Sequence, residues 1–176
     1  MSISLSSKTR YIDGHSDLAP YLLSRQLTQL LGACCPDASA PVFVCIGTDA
    51  VIADSLGPII GTKLTPHEKW TISVYGTLHD PITAKNSNNY ANFPENTLVV
   101  AIDATIHDME PGSIIVAEES LKPGEEAGVD LKEIGDVVIK GVVSNKKNID
   151  NVRLSFIMDM ADYITEGILA SDIFKN

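Results

Sequence analysis

Two short, uniformly apolar runs constrain this chain more than anything else in it. Val42–Gly47 reads VFVCIG and Thr97–Asp103 reads TLVVAID. Both are rich in β-formers and apolar at successive positions, not at alternate ones. A strand of that pattern is buried on both faces, which is the condition of an interior strand in a parallel sheet. Trp70–Tyr75 (WTISVY), Ser113–Ala117 (SIIVA) and Asp136–Val143 (DVVIKGVV) add three further strands.

Helical spacing appears between them. From Ser16 to Leu31 the residues Leu18, Tyr21, Leu22, Leu27, Leu30 and Leu31 recur on one face, with Ser16 or Asp17 as the cap and Gly32 as the stop. Leu56–Leu64 is a short helix that holds Pro58 in its first turn, where a missing N–H does no harm. Asn151–Phe174 is amphipathic, with Leu154, Ile157, Ala161, Ile164 and Ile168 opposite Asp159, Asp162 and Glu166. Ile82–Phe93 is Asn-rich and reads as a short helix or an ordered loop; residues 35–40 and 118–130 read as loops. Strands alternating with helices predict an α/β fold, a three-layer sandwich around a mostly parallel central sheet. Only a loop joins the strands at 97–103 and 113–117, so one antiparallel or edge element is expected. Residues 1–14 are polar and aperiodic and read as a flexible N-terminal arm before a single domain over 15–176, a length that suits one core.

Charge narrows the partners. With 23 Asp+Glu against 13 Lys+Arg, the formal net charge is -10. A groove for nucleic-acid phosphates needs clustered Lys and Arg, so nucleic acid is excluded as a partner, whereas a basic peptide or protein suits the balance. No apolar run approaches the roughly 20 residues of a membrane helix. The opening MSISLSSKTR has no apolar stretch behind its basic residues, and the three cysteines form neither a CxxC nor a Cys/His cluster. A reduced, cytoplasmic protein without structural zinc, and with no cofactor, is expected. Self-association into a homo-oligomer stays open.

In an open α/β sheet the site forms beyond the carboxyl ends of the strands. There the sequence puts Gly47, Thr48, Asp49 and Asp54 after the first strand, His79 and Asp80 after the second, and Asp103 at the end of the third, followed by His107 and Asp108. If these strands are parallel neighbours, Asp54 and Asp103 share one rim. Asp54 precedes a helix and equally suits an N-cap. Asp103 follows five apolar residues, where a carboxylate is costly unless exposed or paired. Asp49 reads as a turn residue, and His79 and His107 stand behind the aspartates because solvated loop histidines are common. Two carboxylates at one rim allow metal-free peptide hydrolysis, one as base and one as acid; with a histidine they would instead hold a divalent ion. Ala53–Gly57 (ADSLG) resembles a nucleophile elbow only loosely, there is no GxGxxG or GxxxxGK[ST], and Cys45 sits mid-strand as a core residue.

The runs VCIGTDAVIADSLGPIIGTKL (Val44–Leu64), YGTLHDPITAKN (Tyr75–Asn86) and VVAIDAT (Val99–Thr105) closely resemble the YyaC-like sporulation proteins of spore-forming bacteria. GSIIVAEESLKPG, IGDVVIKGVV and NVRLSFIMDMADYITEGI extend the resemblance over about residues 15–170. That family looks like a compact relative of the spore germination protease and, more remotely, of the hydrogenase maturation endopeptidases. The resemblance implies a phosphorylase/hydrolase-like fold and a peptidase role in the cytoplasm of sporulating cells or spores, with small basic spore proteins as substrates. The germination protease's proposed catalytic segments correspond here to Asp54-Ser55-Leu56-Gly57-Pro58 and Ile102-Asp103-Ala104. The resemblance thus implies catalysis by Asp54 and Asp103; Gly47, Thr48, Asp49 and His79 are expected toward the substrate from their place beyond the strand ends. Two alternatives stand beside it: a non-catalytic peptide- or protein-binding sporulation protein on the same fold, and a metal-dependent maturation-type peptidase. Asp54 stands where the maturation endopeptidases have an acidic metal ligand, but no His follows His107 to match their later ligand.

Overall fold

The structure is a computed structural model that describes residues 9–34, 41–66, 73–123, 131–146 and 149–172. Among these residues the chain forms six strands, β1 (Thr9–Ile12), β2 (Val42–Cys45), β3 (Ser73–Tyr75), β4 (Val99–Ile106), β5 (Ile114–Ala117) and β6 (Val137–Ser144). Three helices, α1 (Ala19–Cys34), α2 (Leu56–Leu64) and α3 (Leu154–Leu169), complete the fold. One mixed sheet runs in the order β1-β5-β6-β4-β2-β3. β3, β2, β4 and β6 pair in parallel, and β5 runs against both β6 and β1. The expected α/β architecture is present, and the antiparallel element is β5, which neighbours β6 and not the strand before it.

Side-chain alternation sorts the core into two layers. Phe43, Cys45, Val100, Ile102 and Ile139 face the helices, packing with Leu23 and Leu27 of α1, Leu56 and Ile60 of α2, and Ile157 and Ile164 of α3. Val44, Val99, Ala101 and Val138 face the other way, under Ile82, Leu121 and Ile134, with Tyr90 and Phe93 packed alongside. The sheet therefore lies between a helical layer and a layer built from connecting segments, which include a 3-10 turn at Ser87–Tyr90. Both faces of β2 and β4 are covered, as their unbroken apolar runs require.

Three expectations are corrected. Thr9–Ile12, read as part of a polar arm, pairs with Ile114–Ala117 as an edge strand. An edge strand has a neighbour on one side only and tolerates a polar sequence with Tyr11 exposed. α1 runs on past Gly32 to Cys34. β4 does not stop at Asp103 but continues to Ile106, because β6 keeps pairing with it as far as Ser144. The parts of the expected strand, loops and last helix at 70–72, 35–40, 124–130 and 173–174 lie outside the described residues.

Helix α2 sits unusually close to the sheet. A Cβ at Gly57 would collide with the Ile46 carbonyl oxygen, and one at Gly61 with the Gly76 carbonyl oxygen. These glycines, four apart, form one bare helical face that rests main chain on main chain. Helix propensity alone favours alanine over glycine by about 1 kcal/mol. The collision reverses the sign: Gly57→Ala is expected to destabilise the fold by about 1–3 kcal/mol, as overpacking does. Urea unfolding would show it as a lowered midpoint with an unchanged slope.

Candidate active site

The site is built where β2 ends before its neighbour does. The last rung between β2 and β4 is the Ile46 N–H donating to the Ile102 carbonyl at 2.7 Å. At Gly47 (φ +133°) the chain turns away, and the Gly47 N–H donates to the Ile82 carbonyl at 2.8 Å. Only glycine fits here, for a Cβ would strike the Asp54 carbonyl oxygen. The Thr48 N–H donates to that same carbonyl at 3.0 Å, and the Thr48 Oγ1 accepts the Ala50 N–H at 3.2 Å. Residues 48–54 are thus a loop pinned at both ends to the tip of β2, closed by a 3-10 turn at Ile52–Asp54.

Asp54 is not the cap of α2. That position belongs to Ser55, whose hydroxyl donates to the Ile52 carbonyl at 2.6 Å. Asp54 instead borders a cavity of about 260 Å³ together with Val51, Ala53, Ala104, Thr105, Ile106, Val143 and Ile149.

Asp103 lies on the stretch of β4 that outruns β2. In a parallel strand alternate residues bond toward the same neighbour, so Ala104, like Ile102, directs its N–H toward β2. No β2 residue is left to receive it. The Asp103 Oδ1 accepts it at 2.7 Å. Beyond the tip of β2 this leaves a gap; Asp103 is half-buried, and it is not among the residues that line the cavity Asp54 borders. On the other side the register pairs Asp103 with Lys140, whose Nζ lies 2.7 Å from Glu119 Oε1.

The remaining expected residues fall at different distances from this gap. Gly47 and Thr48 frame it through their main chain. Asp49 is exposed in the pinned loop. His79 is exposed in the loop leaving β3, with the neighbouring Leu78 N–H held by Thr62 Oγ1 at 2.9 Å. β3 lies on the far side of β2 from β4, so His79 stands away from the cavity. The apolar lining from Val51, Ala104, Ile106, Val143 and Ile149 went unread in the sequence. Its one local signal is the alternation in Ala104-Thr105-Ile106, which continues the strand beyond its charged residue.

Cys45 is fully buried on the helix side of β2, and burial pushes its thiol pKa up, away from a reactive thiolate. Among the described residues no three His, Cys, Asp or Glu side chains gather so as to hold a metal ion. None of their helices is long and apolar enough to cross a membrane.

With this geometry in place, relatives identify the lineage. The family described as protein of unknown function DUF1256 matches residues 15–167. The chain belongs to the DUF1256 family. It is 35% identical over 170 residues to a Bacillus subtilis (strain 168) protein named "Uncharacterized protein YyaC", covering 90% of this chain and 82% of that one. The resemblance to YyaC thus holds over most of the chain. In structure this DUF1256 chain is similar to the [NiFe] hydrogenase maturation protease HycI from Thermococcus kodakarensis KOD1. That match has a TM-score of 0.53 and 21% identity, and covers 84% of this chain and 99% of the other. The likeness shows that the two chains share an α/β fold.

The Asp103–Ala104 contact separates structural from chemical roles. Asp103→Asn keeps an acceptor for the Ala104 N–H, while Asp103→Ala removes it. The alanine variant is expected to be less stable than the asparagine variant by about 1 kcal/mol in chemical denaturation.

Proposed function

We propose that this protein is an endopeptidase that hydrolyses peptide bonds with Asp54 and Asp103. The observation that supports the reading is their placement on neighbouring elements at one end of the sheet. Asp54 is pinned by its own carbonyl to the tip of β2, and Asp103 lies on the adjacent overhang of β4, one residue past the last rung between the strands. An open cavity lies alongside. The peptidase-like fold supports the reading.

In the proposed reaction an ionised carboxylate takes a proton from water as the water oxygen bonds to the scissile carbonyl carbon. The other carboxyl gives its proton to the carbonyl oxygen. Collapse of the adduct returns that proton, breaks the carbon–nitrogen bond and leaves the proton first taken from water on the departing amine. No metal and no covalent intermediate is used. Gly47 and Thr48 shape the loop against the substrate, with Asp49 and His79 further out. The -10 charge favours basic substrates, and small basic spore proteins in the cytoplasm of sporulating cells fit that demand.

A second reading has one specific observation in its favour. Asp103 Oδ1 already serves the Ala104 N–H, which suits a binding protein that holds a peptide without cutting it. Such a protein would show saturable, salt-weakened binding and no turnover.

The two readings separate on incubation with small basic spore proteins followed by intact-mass spectrometry. The endopeptidase reading expects discrete fragments. It also expects Asp54→Asn and Asp103→Asn each to slow their appearance by about 100-fold or more, the usual range for losing an acid or base. Cleavage undiminished in both variants would refute it.

A further inference from the structure

We infer that the substrate is an extended peptide that adds to the sheet as a strand along the β4 overhang and seats an aliphatic side chain in the adjoining cavity. The inference deepens the proposed function, on which it rests for turnover but not for binding.

The overhang is an unfinished sheet edge. β2 pairs with β4 only as far as Cys45 and Ile102. Beyond that, alternation turns Ala104 and Ile106 toward the missing neighbour, while the His107 N–H bonds to Ser144 of β6 at 3.1 Å. The Ala104 N–H is taken by Asp103. Outside the β4–β6 ladder, and among the described residues, no hydrogen bond is made to the Ala104 carbonyl or by the Ile106 N–H, and the Ile106 carbonyl meets Thr105 Oγ1 at 3.5 Å. Main-chain groups left open on a sheet edge are the recognition element for an added strand.

The cavity beside this edge has the character of a side-chain subsite. Ala53, Ala104, Val143 and Ile149 give it apolar walls, and Val51, 44% exposed, stands at the mouth. Its volume of about 260 Å³ falls below the roughly 300–1,000 Å³ of a site for a whole small-molecule ligand, so it suits one or two side chains. Asp54 is on its wall. A peptide seated there therefore carries its scissile bond past the carboxylate. Strand pairing fixes the main chain, and the cavity selects the residue.

The test uses short labelled peptides whose central bond is reduced to –CH₂–NH– so that it cannot be hydrolysed. The peptides are identical except for Ala, Val, Leu, Asp or Lys at one position, and their binding to the intact protein is read by anisotropy. Each buried methylene is worth about fourfold, so Leu is expected to bind at least tenfold tighter than Ala, and Asp and Lys no better than Ala. Val51→Asp, an exposed change at the mouth, should erase the Leu advantage; Ala104→Leu, which fills the cavity, should do the same. An N-methyl group walked along the peptide should cost tenfold or more at one amide, the one facing the Ala104 carbonyl. Equal binding of all five peptides, no binding, or uniform tolerance of N-methylation would overturn the inference. Unblocked peptides keep the two proposals apart. A Leu preference without hydrolysis upholds the subsite and sinks the endopeptidase. Hydrolysis indifferent to the varied residue does the reverse.

Discussion

The contact on which the site depends is main chain against main chain, where the bare glycine face of α2 meets the ends of β2 and β3. Gly57 lies against the Ile46 carbonyl and Gly61 against that of Gly76, with no room for a side chain at either. Because the helix sits so low, the loop before it must turn back at once. Gly47 and Asp54 are forced into contact, and the Thr48 N–H closes the loop on the Asp54 carbonyl. The main chain of the acidic residue is set by the helix seat and by the Thr48 N–H on its carbonyl. Fixing a residue through its main chain holds it in one place, which is what a reacting group needs.

The second determinant is a mismatch in strand length. β2 ends at Cys45 while β4 runs on to Ile106, carried by β6 on its other flank. A shorter β4 would leave Asp103 at a frayed tip, and a longer β2 would cover it. The mismatch instead leaves a carboxylate beside an incomplete ladder, with its own Oδ1 satisfying the first orphaned N–H. A half-buried donor without a partner is costly, so this bond gives Asp103 a part in stability.

How much of this could be read from the chain depends on how local each signal is. β2 and the first part of β4 were legible because burial on both faces leaves no polar residue to blur the run. α2 was legible to the residue, since Pro58 and the glycines permit few alternatives. Asp54 and Asp103 were legible as carboxylates near the ends of β2 and β4, though the local setting of each was partly misread. Asp54 looked equally like a cap, a role that falls to Ser55. Asp103 looked like the end of a strand that in fact continues, because a charge in an apolar run reads as a stop and the support for going on comes from β6, some 35 residues later. β1 was missed on the same principle: its pairing with β5 supplies what its polar sequence lacks. The cavity walls escaped entirely, since Val51, Ala104, Val143 and Ile149 are ordinary apolar residues until topology brings them together.

Charge and cavity then divide the work of recognition between two length scales. Ten excess negative charges act over about a Debye length, roughly 8–10 Å at physiological salt, and raise the local concentration of any basic chain without choosing a bond within it. The apolar walls act only at contact and choose a residue without regard to distance. A surface that was acidic and featureless would hold basic partners promiscuously, and an apolar slot on a neutral surface would meet them slowly. On this acidic protein the apolar cavity bordered by Asp54 adds that selectivity, beside the stretch of β4 that outruns β2.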